Sequence, residues 1–105
     1  MARKLFYYKG KEYNGYMDRY EETPVSVYGT KIPNCKENVF LIRRNKFYEI
    51  FDTASGLLIV ADKTKYGCIQ KFFENIDRYH EIQKQEWYKK AVENFKSLLG
   101  GENGE

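Results

Sequence analysis

The stretch that decides the fold is Val39-Phe40-Leu41-Ile42-Arg43-Arg44-Asn45-Lys46-Phe47-Tyr48-Glu49-Ile50-Phe51, continued by Asp52-Thr53-Ala54-Ser55-Gly56 and Leu57-Leu58-Ile59-Val60-Ala61. Three apolar or aromatic runs of strand length are separated by two short groups of turn formers. Adjacent β-type runs with short connections pair antiparallel, because parallel neighbours need a crossover of about a dozen residues or more. The stretch therefore predicts a three-stranded meander over 39–61. Its third run is apolar at every position, which predicts a strand that is central or covered by a helix. Leu41, Ile50, Leu58 and Val60 are the expected core residues.

Downstream of the meander, Thr64 is a good N-cap. Ile69, Phe72, Phe73, Ile76 and Tyr79 or His80 follow at helical spacing. Trp87, Ala91, Phe95 and Leu98 repeat the pattern, flanked by Tyr88, Val92 and Leu99. The second stripe is rotated by roughly 70° from the first. A straight helix over this length would run roughly 50 Å, against about 34 Å for a compact domain of this size. The segment 64–99 therefore reads as one long kinked helix or two helices, interrupted in the polar middle, Asp77 to Glu86. Gly100-Gly101 is the expected stop, and residues 100–105 read as a flexible C-terminal tail. The apolar excess over 87–99 calls for a second packing surface, with a homodimer as one way to supply it.

Upstream, residues 4–13 read as two short strands, Lys4–Tyr8 and Lys11–Tyr13, around a turn at Lys9-Gly10. Residues 14–24 carry turn formers at both ends and no clear period, so a loop or a short helical turn is expected. Val25–Tyr28 reads as a further strand, and 29–38 as a loop. Strands first and helices after give an α+β fold: an antiparallel sheet of four to six strands in a single domain over 1–99.

Composition narrows the function. Ten Tyr, seven Phe and one Trp in 105 residues mean a core made largely of rings, with many hydroxyls left for the surface or a partner. The net charge of +3 permits nucleic acid as a partner without demanding it, and it argues against a mimic of nucleic acid built on an acidic surface. Cys35 and Cys68 have no metal-site or redox spacing and read as free thiols of a reducing cytoplasm. The segment after Met1-Ala2-Arg3-Lys4 is too short for a signal-peptide core. Leu57–Ala61 is too short to span a bilayer. A cytoplasmic protein with no membrane partner is expected.

Catalytic chemistry finds no foothold. His80 is the only histidine, three turns from Cys68 along a continuous helix and too far to activate it. Asp77, His80 and Glu81 could share one side of a helix, but such a trio is the ordinary composition of a solvated face. The glycine-rich Gly100-Gly101-Glu102-Asn103-Gly104 follows a helix, whereas a phosphate loop lies between a strand and a helix. No catalytic, metal or cofactor-binding residue is assigned, and a non-enzymatic binding protein without a cofactor is expected.

Two residue sets carry the binding readings. Tyr16, Met17, Arg19 and Tyr20 lie together where no burial pattern claims them, and Tyr and Arg are the types that anchor protein interfaces. Arg43, Arg44 and Lys46 crowd the tip of a predicted hairpin. Lys9 and Lys11, with Arg3 and Lys4, are interleaved with Phe6, Tyr7, Tyr8 and Tyr13. Basic residues reach phosphates, and exposed rings stack on unpaired bases. The meander followed by a helix over 39–79 resembles, in layout, the arm-binding domain of phage-type integrases, whose sheet enters the major groove. That resemblance implies a DNA-binding regulator using Arg43, Arg44 and Lys46. In general appearance the chain, small, aromatic and without motifs, looks like the accessory proteins of phages and mobile elements, anti-CRISPR proteins among them. That appearance implies an inhibitor or adaptor that binds a protein and blocks nucleic-acid machinery by surface contact. The protein-directed reading is favoured, the regulator is its rival, and a small nuclease or toxin stands third.

Overall fold

The computed structural model describes residues 3–101. Five antiparallel strands precede three helices: β1 (Lys4–Asn14), β2 (Arg19–Gly29), β3 (Val39–Arg44), β4 (Phe47–Asp52), β5 (Leu58–Asp62), α1 (Lys65–Glu74), α2 (Ile76–Gln83) and α3 (Glu86–Gly101). The α+β reading holds, and the meander lies where the sequence placed it.

β3 and β4 close through Asn45-Lys46, with Asn45 at φ 58°. Asparagine tolerates that left-handed conformation better than most residues. The strand order is β3-β4-β5, so the central strand is β4, and β5, apolar from Leu58 to Ala61, is an edge. β5 was expected to be central or helix-covered, and the cover is what it has: α1 packs on it. Leu58, an expected core residue, is 49% exposed at the start of the edge, and Val60 is half-buried. An apolar run records burial on the faces of a strand and says nothing of its edges.

The meander is covered on both faces. Val39, Leu41 and Ile50 meet Ile32, Cys68, Phe72 and Tyr79 on the helix side. Phe40, Ile42 and Phe51 meet Phe6, Tyr8 and Val27 on the other. Phe6 stacks on Phe40 at 4.4 Å between ring centres, and Tyr8 lies 4.7 Å from Phe51. Double burial explains why the first four residues of β3 are all apolar rather than alternating.

The N-terminal segment corrects the sequence reading. Lys9-Gly10 is not a turn, and 14–24 is not a loop. β1 and β2 pair residue for residue from Lys4↔Gly29 to Asn14↔Arg19. Gly10 serves a close approach instead: a Cβ there would lie 2.7 Å from Val25 Cγ2. Pro24, which reads as a strand breaker, is tolerated by register. Its partner Lys9 turns its N–H away from β2, donating to Gly56 O at 2.8 Å. Pro24 therefore stands where no ladder donor is needed. β2 reaches the meander through a single bridge, Thr30↔Leu41.

The helical segment breaks twice rather than once. Thr64 caps α1 as expected, its Oγ1 accepting from Gly67 N–H at 3.0 Å. The first break is at Asn75, just before the expected polar middle; its side-chain amide donates to Lys71 O at 2.9 Å. The second is at Lys84-Gln85, within that middle. α3 continues through Gly100 and Gly101, which were expected to end it; the tail from 102 onward lies outside the described residues.

A buried carboxylate holds the pieces together. Asp52, at the end of β4, accepts from Tyr79 OH of α2, from Tyr88 OH of α3 at 2.7 Å, and from Ser55 Oγ (2.6 Å) and N–H (2.9 Å). Phe95 of α3 closes over Gly56, where φ is +72° and a Cβ would stand 2.7 Å from the ring. Of residues 87–99, Tyr88 and Phe95 find a buried surface within the chain, whereas Trp87 stays 54% exposed. Among the described residues no helix is long and apolar enough to cross a membrane.

Candidate functional site

Eleven residues of strand extend about 35 Å, so β1 and β2 outrun the six-residue strands that their base covers. Beyond Gly10 and Thr23 the hairpin continues as an arm, residues 11–22, whose side chains are exposed apart from a half-buried Asn14. A four-residue turn, Gly15 to Asp18, closes it, with Asp18 at φ 51°. Tyr16, Met17, Arg19 and Tyr20 all lie on this arm. Tyr16 is fully exposed (102%), and Met17 and Tyr20 are more than half exposed. Neither Tyr16 nor Tyr20 folds back onto the core.

The tip is held in shape by its own polar groups. Asn14 Oδ1 accepts from Tyr16 N–H (2.9 Å) and Met17 N–H (3.2 Å), and its amide donates to Glu21 at 2.7 Å. Tyr13 OH donates to Asp18, and that carboxylate raises the Tyr13 pKa above its ordinary value. The Tyr13 and Tyr20 rings meet edge-on at 5.4 Å. Arg19 pairs with Glu21 at 3.5 Å, so this expected anchor is partly spent inside the arm.

The charge of the arm is its less expected property. Lys11 and Arg19 face Glu12, Asp18, Glu21 and Glu22, which leaves a surplus of acids in a chain whose total is +3. Glu12 and Glu21 sit directly opposite each other. Like charges in that position destabilise a sheet pair. A hollow of about 430 Å³ opens beside them, lined by Glu12, Glu21, Glu22, Tyr13 and Tyr16 among others. The sequence reading missed this acidity because Glu12 and Glu21 are nine positions apart and meet only through the register.

The basic set of the rival reading is divided. Arg44 is committed to the fold: it donates to Tyr8 OH and Glu49 at 2.9 Å each, and its guanidinium lies over the Tyr8 ring. Its nearly buried partner Glu49 holds its pKa above the usual value. Arg43, one residue earlier, points to the other face, over Tyr48. Lys46 is exposed in the turn. Lys9 has an 11% exposed side chain beside Glu22 at 3.8 Å, and Lys11 sits opposite Glu22 on the arm. The five cations do not form one surface. Both faces of the meander are covered.

His80 Nε2 lies 3.0 Å from Glu37. Among the described residues no three His, Cys, Asp or Glu side chains are placed to share a metal ion. Cys35 and Cys68 are free thiols. Burial raises Cys68 to about 11, which keeps it an unreactive thiol. No family model matches the chain, and no curated protein or solved structure matches it either.

Proposed function

We propose that the protein is a non-catalytic binding module that engages a protein partner through the arm of residues 11–22. The observation that carries this reading is a pre-shaped, exposed tip: Tyr16, Met17 and Tyr20 are displayed while Asn14, Asp18 and Glu21 fix the turn beneath them. Rigid aromatic anchors lose little entropy on binding, which is how few residues carry much affinity. The surplus of carboxylates selects a partner with a basic surface, whose Lys or Arg would relieve the Glu12–Glu21 juxtaposition. Proteins that handle nucleic acid present such surfaces to phosphate backbones. An arm seated there would act as an inhibitor, in the manner of the phage and mobile-element accessory proteins that the chain resembles in general appearance. The free thiols Cys35 and Cys68 fit the reducing cytoplasm in which we place this activity.

Affinity capture from a cell lysate with and without nuclease, repeated with a Tyr16→Ala, Met17→Ala double variant, tests the reading. A captured protein that survives nuclease and is lost with the double variant supports it. Capture that disappears with nuclease, or is indifferent to the arm, removes it.

A further inference from the structure

A cleft opens where β2 peels away from β3. The two meet through one reciprocal bridge: Thr30 N–H donates to Leu41 O at 3.0 Å, and Leu41 N–H to Thr30 O at 2.8 Å. In an antiparallel ladder, residues that exchange both bonds with the same neighbour recur at every second position. Arg43 therefore turns its backbone N–H to the same side as Leu41 does. Among the described residues no strand pairs with β3 on that side beyond the Thr30↔Leu41 bridge. Tyr28, which would continue the ladder, forms no bridge with Arg43, and β1-β2 and β3-β4-β5 remain separate sheets. Gly29 allows the crossing, since a Cβ at that position would lie 2.8 Å from Leu41 O and 2.9 Å from Ile42 Cγ2.

The cleft holds about 170 Å³, and Arg3, Arg43 and Lys65 line it together with Tyr28 and Tyr48. These three cations come from β3, from the residue just before β1 and from the start of α1, so only the fold brings them together. No carboxylate is among the lining residues. Arg19, Arg44 and Lys71 each reach a carboxylate within 3.5 Å, whereas none of the three cleft cations forms an ion pair among the described residues. Like charges converging on a concave site raise its potential and favour a bound anion. A guanidinium offers a planar fork that fits phosphate oxygens, an ammonium offers a point charge, and the Arg43 N–H adds a directed donor. Tyr28 lines the cleft and is 63% exposed.

We propose that this cleft binds the phosphate of a nucleotide, with Arg43, Lys65 and Arg3 as its counter-charges and the Tyr28 ring as a platform for the base. The nucleotide is either free or part of a single strand; the chemistry at the cleft is the same. The site lies outside the arm and does not depend on the protein-binding reading.

The test is a titration of the isotope-labelled full chain, followed by amide NMR shifts, with three probes at low salt: inorganic phosphate, a nucleoside 5′-monophosphate and a short oligothymidylate. All three should move the amides of Thr30, Arg43 and Lys65 and leave Tyr16 and Met17 in place. The double variant Arg43→Gln, Lys65→Gln should keep the remaining spectrum native and weaken the best probe by roughly tenfold per cation removed. A mononucleotide that binds as well as the oligomer identifies a free nucleotide. Tighter binding by the oligomer, with roughly 0.7 log units of salt dependence per phosphate contact, identifies a single strand. Amides at Arg43 and Lys65 that ignore all three probes at millimolar concentration overturn the proposal. So does a folded double variant that binds as tightly as the parent.

Discussion

The two halves of the first hairpin are built from the same residue types and do opposite things. At its base, Phe6 and Tyr8 lie on Phe40 and Phe51, and Arg44 ties Tyr8 to Glu49. In its arm, Tyr13 and Tyr20 touch only each other among the rings, and Tyr16 touches none. The base turns ring area into stability, at roughly 25 cal/mol for each Å² removed from water. The arm keeps its ring area available. Hydroxyl groups divide in the same way: those of Tyr79 and Tyr88 are buried on Asp52, while that of Tyr13 shapes an exposed turn. Aromatic content alone therefore says nothing of role; what lies across the ring decides it.

The comparison breaks most directly at Phe40. Phe40→Ala removes the ring that stacks with both Phe6 and Phe51, and it should cost about 3–5 kcal/mol in chemical denaturation. A loss below about 1 kcal/mol would mean that the base of the hairpin is as loosely held as its arm.

Asp52→Ala should follow, at about 3 kcal/mol, because it strands the buried hydroxyls of Tyr79, Tyr88 and Ser55 at once. Urea midpoints for the variant would read it. Near-native stability would show that water replaces the carboxylate without penalty.

Alkaline pH sharpens the contrast between buried and displayed hydroxyls. Burial, then the hydrogen bond to Asp52, raises Tyr88 to about 12 from 10.0, and the same causes raise Tyr79 above its ordinary value. A tyrosine with a raised folded pKa contributes stability that is complete below its unfolded value and is lost as pH climbs through the folded one. For Tyr88 that window runs from 10 to about 12. Cys68, raised by burial from 9.0 to about 11, has the same sign and starts its loss one unit earlier. Tyr88→Phe should flatten the alkaline limb of a stability-against-pH profile, whereas a limb unchanged in the variant would assign the loss to other groups.

The smallest effect belongs to the tip. Tyr16→Ala should change unfolding stability by no more than about 0.5 kcal/mol, as expected for a fully exposed side chain. The same change should cost about 1–3 kcal/mol of partner affinity. A melting temperature that drops as far as for Phe40→Ala would erase the distinction between arm and base.

The meander, the Thr64 cap and the order of strands before helices were legible in the sequence, because each rests on neighbours a few residues apart: turn formers, apolar period and capping chemistry. It also singled out Tyr16, Met17 and Tyr20, whose side chains the fold leaves exposed. What it could not carry was everything set by register and crossing. Gly10 and Pro24 look like breakers to local chemistry. They are strand residues because a pairing that runs the length of β1 puts Gly10 against Val25 and leaves Pro24 without a required donor. Leu58 looks like core, yet it lies on an edge that has no neighbouring strand. Arg43 and Arg44 look like one basic tip, but strand alternation sends them to opposite faces, one into a Glu49–Tyr8 lock and the other into the cleft with Lys65. Asp52 looks like an ordinary turn residue until α2 and α3 bring two tyrosines to it from 27 and 36 positions away. Local chemistry fixes which elements form. Contacts between distant residues fix which side chains are used up in holding those elements together, and only what is left over is free to bind.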